Sequence, residues 1–182
     1  MKKIIIVKFL LFTFFVCGQN KLSVEKSITT VQLGAVGGWV NNEIRLSDEI
    51  ALRTEVGLYT EIAEGIGFFM APEITLEPRW YYNISKRDSK KLNIKNNSAN
   101  FFTIKANFRS SVFEISNFDE KRAENSFAII PKWGIRRNLG TNFNYELGLG
   151  IGYLSYINQK YFTVSDSDGI IIDLHVRIGY NF

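Results

Sequence analysis

Cysteine and histidine are almost missing from this chain: Cys17 and His175 are the only examples among 182 residues. Cys17 sits inside the N-terminal apolar segment and is expected to leave with it. The remaining chain then has no thiol, which excludes a disulfide framework and cysteine catalysis. A single histidine excludes a histidine metal cluster, and neither a metal nor a cofactor is expected. Past residue 18 there is no apolar run approaching the ~20 residues of a membrane-spanning helix. A phosphate loop is lacking as well. The "GLGIGY" of residues 148–153 places its third glycine one position too early for G-x-G-x-x-G, and no helix follows.

An excess of one charge is also missing. The formal net charge is +4, but Lys2, Lys3 and Lys8 lie in the N-terminal segment, and without them it is +1. The basic balance therefore gives no reason to expect nucleic acid as a partner. The segment itself has a basic start at Lys2 and Lys3. An apolar core from Ile4 to Val16, interrupted by Lys8 and Thr13, leads to Cys17 and Gly18. These are the parts of a secretory signal peptide. Residues 1–18 are expected to be removed, leaving 19–182 as one domain. A lipoprotein reading would make Cys17 the acylated first residue, but Phe14, Phe15 and Val16 fit that signal poorly.

What the chain has in quantity is alternation. Successive side chains of a strand point to opposite faces, so an apolar–polar period of two marks a sheet with one polar side. In residues 50–62, Ile50, Leu52, Val56, Leu58 and Ile62 share a face, and Arg53, Glu55, Tyr59 and Glu61 share the other. Residues 71–84 set Ile74, Leu76, Trp80, Tyr82 and Ile84 against Glu73, Glu77, Arg79 and Tyr81. The same holds for 101–112, with Phe102, Ile104 and Phe108 opposing Lys105, Asn107 and Arg109. It recurs in 127–137, where Trp133 and Ile135 oppose Lys132 and Arg136. In 143–157, Phe143, Tyr145, Leu147, Leu149 and Ile151 oppose Glu146, Gly148, Gly150 and Gly152. From residue 170 to the last residue, Ile172, Leu174, Val176, Ile178, Tyr180 and Phe182 oppose Asp173, His175, Arg177 and Asn181.

These strands are about twice the usual ~5–6 residues and match the ~9–11 that cross a bilayer at a tilt. Together with the secretion signal they predict an all-β fold: an antiparallel up-and-down transmembrane β-barrel of the Gram-negative outer membrane. The alternative is a soluble periplasmic sandwich or lipocalin-like barrel, whose apolar face packs inward. Aromatic placement favours the membrane. Trp80, Tyr82, Phe102, Phe143, Tyr145, Tyr180 and Phe182 share one level of the apolar face, and Phe68, Phe69, Phe127 and Tyr153 cluster towards the other. Such girdles suit the two membrane–water interfaces.

By this pattern the chain resembles the small outer-membrane β-barrel proteins of the OmpA/OmpX type. The resemblance covers nearly all of residues 19–182 but rests on no sharp motif. It implies contact with outer-membrane lipid and handling by the barrel assembly machinery, which reads a closing strand ending in an aromatic; Tyr180 and Phe182 fit that signal. The glycine often found five residues before the end is Arg177 here.

Six strands are plain, and barrels of this kind have an even number. In residues 28–46 the apolar face switches from Val31, Leu33 and Ala35 to Val36, Val40, Ile44 and Leu46. This predicts a turn at Gly37-Gly38 and eight strands, or else a bulge. The long basic stretch 85–100 is expected to be a solvated periplasmic loop, with a periplasmic binding partner as the alternative.

The inward face gathers Arg53, Arg79, Lys105, Arg109, Lys132, Arg136 and Arg177 with Glu55, Glu61, Glu73, Glu77, Glu146 and Asp173, beside His175. An eight-stranded barrel is only wide enough for its own side chains, and unpaired buried charge is costly. A polar network plugging the lumen is therefore expected, with Gly148, Gly150 and Gly152 leaving room for long side chains from facing strands. A narrow polar conduit is the alternative. Lipid A deacylases, which this chain resembles in size, use a Ser activated by a His two positions away on a lipid-facing strand. Here that partner position is Arg177 and the parity turns both residues inward. No enzyme is expected, and the Arg53–Glu55 and Glu77–Arg79 pairs read as lumen ion pairs. The expected role is structural or adhesive, with specificity in the loops.

Overall fold

The computed structural model describes residues 23–63, 67–117, 123–157 and 168–182, so the predicted signal peptide lies outside the described residues. Eight long strands follow in chain order: β1 Ser27–Gly34, β2 Gly37–Arg45, β3 Ile50–Ala63, β4 Gly67–Trp80, β5 Asn100–Arg109, β6 Ser126–Leu139, β7 Phe143–Tyr156 and β8 Gly169–Asn181. Each pairs antiparallel with its sequence neighbour, and β8 pairs back onto β1 from Thr30↔Asn181 to Gly34↔Arg177. The result is a closed, antiparallel, up-and-down barrel of eight strands. A two-residue ladder, Ile115–Ser116, extends the β4 edge at Phe69 and Met70.

The registers fix the barrel's shape. Thr30 of β1 leads through its ladder partners Asn41, Glu55, Thr75, Asn107, Ala128, Leu154 and Gly169. Extending the β8–β1 register from Gly169 returns to β1 twelve residues beyond Thr30. With a rise of ~3.3 Å per residue and a strand spacing of ~4.8 Å, that stagger over eight strands tilts them by about 45°. Each residue then climbs ~2.3 Å along the barrel axis.

The apolar residues face outward. Val56, Ile74, Leu76, Ile104, Leu149, Ile172, Leu174 and Ile178 are exposed on the outer wall, and the charged residues between them are buried inside. This is the reverse of a soluble sandwich, whose apolar face would be its core. The described apolar core is small and lies at one end: Val24, Ala51, Tyr81, Ile84, Ala99 and Phe101.

That end corrects three expectations. Strand β4 stops at Trp80 instead of 84, because the chain turns inward at Tyr81. Ile84, predicted to face lipid, is fully buried at the start of a short helix, α1 Ile84–Ser89. The basic stretch 85–100 is consequently a folded cap at the barrel mouth: Lys86, Lys90, Lys91 and Lys95 stay exposed, as expected of a solvated loop, but Asn97, Ser98 and Ala99 are buried. It consists of α1, a 3-10 turn Lys95–Asn97 and a return into β5. Asn96 and Asn97 take left-handed backbone angles (φ 52° and 59°), which asparagine tolerates better than most residues. The buried Asn97 accepts from the Glu25 backbone N–H (2.7 Å) and donates to Glu43 (2.9 Å), tying the cap to the chain entering β1 and to β2.

The predicted N-terminal turn is displaced. Strands β1 and β2 are joined at Ala35-Val36, between the paired Gly34 and Gly37, and not at Gly37-Gly38. Gly37 holds φ 144°, and a Cβ there would lie 2.1 Å from the Leu58 carbonyl oxygen, so the backbone needs glycine at this crossing. Phe69 is also corrected. It lies on the inner face, its ring 6.4 Å from that of Tyr59, whereas Phe68 faces out.

Because β1 and β2 are short, the wall has a notch. The β8–β1 ladder ends at Arg177, and the β2–β3 ladder ends at Tyr59. Above the hairpin, residues 169–176 of β8 and 61–63 of β3 have no strand partner on that side among the described residues.

Candidate functional site: the barrel interior

The inward positions form tiers. Next to the cap, Phe101 lies against its ladder partner Gly134; a Cβ on that glycine would meet the ring at 2.5 Å. The Arg79 guanidinium sits 4.2 Å from the centre of the Phe101 ring. Tyr81 packs edge-on to Phe101 (5.6 Å) and donates its hydroxyl to Glu43 (2.8 Å). Burial, and then the Glu43 carboxylate, push the Tyr81 phenol above its ordinary value.

The middle tier is built on two carboxylates. Glu146 of β7 accepts from Arg53 (3.1 Å), Arg79 (3.2 Å) and His175 Nε2 (3.0 Å), with Arg136 at 3.4 Å. Glu43 of β2 accepts from Arg79 (3.0 Å) and Arg136 (2.8 Å), besides Tyr81 and Asn97. Arg136 further donates to Thr30 (3.0 Å) and Asn181 (2.8 Å). Arg53 also binds Gln32 and Glu55, and Glu55 takes Arg177 at 2.6 Å. Glu77 holds Arg79 (2.7 Å) and Lys132 (2.9 Å). The side chains of Arg53, Arg79, Arg136 and Glu146 have no exposure. Every one of these charges has an opposite charge in contact, which is what makes such a buried cluster tolerable. Arginine's planar fork lets one side chain serve several carboxylates at once.

His175 uses both ring nitrogens. Nε2 contacts Glu146, and Nδ1 lies 3.4 Å from Lys132 Nζ. A lysine ammonium can only donate and a carboxylate can only accept. The fitting tautomer is therefore neutral, with its proton on Nε2.

The third tier is looser. Lys105 and Lys132 approach Asp173 at 3.6 and 3.4 Å. Glu73 accepts from Trp39 Nε1 and from Asn107 (3.1 Å). Arg109 lies 3.4 Å over the Tyr59 ring. Glu61, grouped by its parity with the buried charges, is instead exposed at the rim, because β3 climbs past the β1–β2 hairpin there. Tyr59 donates to it at 3.4 Å.

Three glycines also behave differently from expectation. Cβ atoms on Gly150 and Gly152 would meet Ile130 at 2.7 Å, and one on Gly148 would lie 3.0 Å from the Trp133 carbonyl oxygen. The missing side chains make room for the adjoining strand β6, not for side chains from across the lumen.

On the outer wall, Trp80, Tyr82 and Phe102 form one ring cluster, with centroids 5.2–6.4 Å apart. Phe143, Tyr180 and Phe182 form another, 5.1–5.2 Å apart. Tyr145 sits half-buried beside them.

The sequence pattern does not single out Glu43, Trp39, Gln32, Asn41 or Thr30, all buried inside. The available signal was the complement of the outward pair Val40 and Ile44, since Trp39, Asn41 and Glu43 alternate with them. Comparison with family models, curated proteins and solved structures finds no match.

Proposed function

We propose that this is an integral outer-membrane barrel of the OmpA/OmpX type, neither an enzyme nor an open pore, with a structural or adhesive role. The observation that carries the reading is the inverted distribution of side chains. A wall of exposed Leu, Ile, Val and Phe surrounds a lumen of fully buried arginines and glutamates. Such a molecule suits hydrocarbon outside and pairs its buried charges with one another inside. The aromatic levels agree in spacing. Trp80 and Phe68 on β4 lie ~28 Å apart along the axis, and Tyr145 and Tyr153 on β7 ~19 Å, which bracket the ~25 Å apolar band of such barrels.

In this orientation the cap and short turns face the periplasm, and the end bearing the notch faces out. Any specificity for a partner belongs to that outer end. Tyr180 and Phe182 would serve as the aromatic signal on the closing strand for the assembly machinery. Two features argue against a conduit: the Glu43–Glu146 cluster fills the section, and the cap closes the mouth below it. Against a Ser–His enzyme, both nitrogens of the sole histidine are already engaged. The test is conductance. Purified protein in a planar bilayer should give negligible current, and stable stepwise channels of nanosiemens size would overturn the plugged reading.

A further inference from the structure

Above the charged floor the lumen contains a cavity of about 490 Å³, within the range of small-ligand sites. Its walls differ in chemistry. One side carries Ala128, Ile130, Leu154 and Ile171, and the other carries Tyr59, Lys105, Asn107 and Arg109. The cavity reaches the notch over Ala35, Val36, Leu174 and Val176. There it meets an apolar groove on the outer wall, lined by Val31, Leu33, Phe143 and Ile178, and the two share Ala35, Val176 and Arg177. A route therefore runs from the outer surface of the barrel, above the β1–β2 hairpin, into an amphipathic pocket.

The pocket also holds a cation to spare. Of the seven cations that the sequence pattern assigns to the inner face, six have a carboxylate within 4 Å. Arg109 has none among the described residues. Its guanidinium lies over the Tyr59 ring, and its buried Nε has no hydrogen-bond partner among the described residues. The carboxylates nearby are engaged: Glu73 by Trp39 and Asn107, Asp173 by two lysines, and Glu61 by the Tyr59 hydroxyl. A guanidinium held on an aromatic face, with N–H groups that no carboxylate of the described residues occupies, is suited to one incoming carboxylate.

We propose that the notch admits a single-chain carboxylate of the fatty-acid class from the outer leaflet. The carboxylate pairs with Arg109, the chain lies along Ala128, Ile130, Leu154 and Ile171, and its end leaves over Ala35 and Val176. This rests on the membrane-barrel reading above. On that reading the hairpin tip stands roughly midway between the aromatic levels, at ~2.3 Å per residue, so the notch opens at acyl-chain depth.

The experiment uses the protein reconstituted in phosphatidylcholine vesicles with a diazirine-bearing palmitic acid, or its methyl ester, as probe. Crosslinked residues are identified by mass spectrometry. The acid should label Ile130, Leu154 or Ile171 saturably, and unlabelled palmitate should compete. The ester should label only outward residues such as Leu147, Leu149 and Ile151. Arg109→Gln should weaken lumen labelling at least tenfold, Arg109→Lys should retain most of it, and Ala35→Trp at the mouth should abolish it; heat-modifiable migration checks that each variant is folded. Equal lumen labelling by acid and ester, or labelling unchanged in Arg109→Gln, overturns the proposal. So does labelling confined to Leu147, Leu149 and Ile151, which leaves the membrane reading standing. Absence of labelling on both faces overturns the membrane reading itself.

Discussion

Trp39 packs on Gly57, its direct partner across the β2–β3 ladder, and the Arg177 guanidinium lies over the ring at 3.5 Å. A Cβ at position 57 would come within 2.1 Å of the indole. The same device recurs at Phe101 and Gly134 under Arg79. In each case a glycine seats a large ring against the wall, and the ring presents its face to an arginine from another strand. Aromatic side chains that cover strand glycines help to fix register in curved sheets, and stacking under a cation adds to the contact. Gly57→Ala should therefore destabilise the barrel by ~1–3 kcal/mol, the usual cost of overpacking. Combining it with Trp39→Ala should recover part of that loss. The double-mutant cycle, measured by urea unfolding in detergent micelles, should give clear coupling; additive effects would show that ring and glycine act independently.

Glu146 is the carboxylate that binds Arg53, Arg79 and His175 together. Glu146→Leu leaves those donors buried with less negative charge than they need, and ~3–5 kcal/mol should be lost. Glu146→Gln keeps the shape and one acceptor oxygen and should cost less. Both are read from the midpoint of refolding into lipid. An equal, small effect of the two changes would mean that the cluster is hydrated or rearranges freely.

The cap should be sensitive to alkali through Tyr81. Its phenol is raised in the folded state by burial and then by Glu43. The folded form thus holds the proton more tightly than the unfolded one. The Tyr81 contribution is intact below the ordinary phenol value of 10.0 and is lost as pH rises above it. Between pH 9 and 11 the stability of wild type should fall more steeply than that of Tyr81→Phe. Parallel curves would show that the Tyr81 phenol titrates alike in the folded and unfolded states, so that neither burial nor Glu43 holds its proton.

Much of this architecture is legible in the sequence because one rule, apolar out and charged in, governs nearly every described residue of strands β3 to β8. Where the rule holds, strand, face and neighbours follow together. It fails at Tyr81, where the chain leaves the ladder to build the cap. There Ile84 keeps the right parity for a strand that no longer exists. It is weak in β1 and β2, where short strands and the glycine-flanked Ala35-Val36 turn blur the switch of face, so that Glu43 escapes notice. The spare cation at Arg109 depends on which carboxylates reach which arginines across the lumen, from residues far apart in the chain. Periodicity assigns Arg109 to the inner face but cannot assign its partners.

Leu149 tests the environment on which the functional reading depends. It is half-exposed on the outer wall of β7, four residues above Tyr145 and four below Tyr153, while Gly148 and Gly150 lie on the inner face. At ~2.3 Å of climb per residue it stands ~9 Å from each aromatic level, near the centre of the apolar band. In a bilayer, Leu149→Arg should cost ~2–4 kcal/mol, whereas an arginine on a water-facing strand would be tolerated. In Leu149→Cys the new thiol should react with a lipid-soluble maleimide and be silent to a membrane-impermeant one. In Leu139→Cys, at the cap end of β6, the thiol should react with both once the periplasmic side is opened. If the Leu149→Cys thiol labels readily with the impermeant reagent in intact membranes, the outer wall faces water. A barrel that hides its apolar surface against other protein would instead protect the Leu149→Cys thiol from both reagents, in an assembly whose size sedimentation in the absence of detergent would measure.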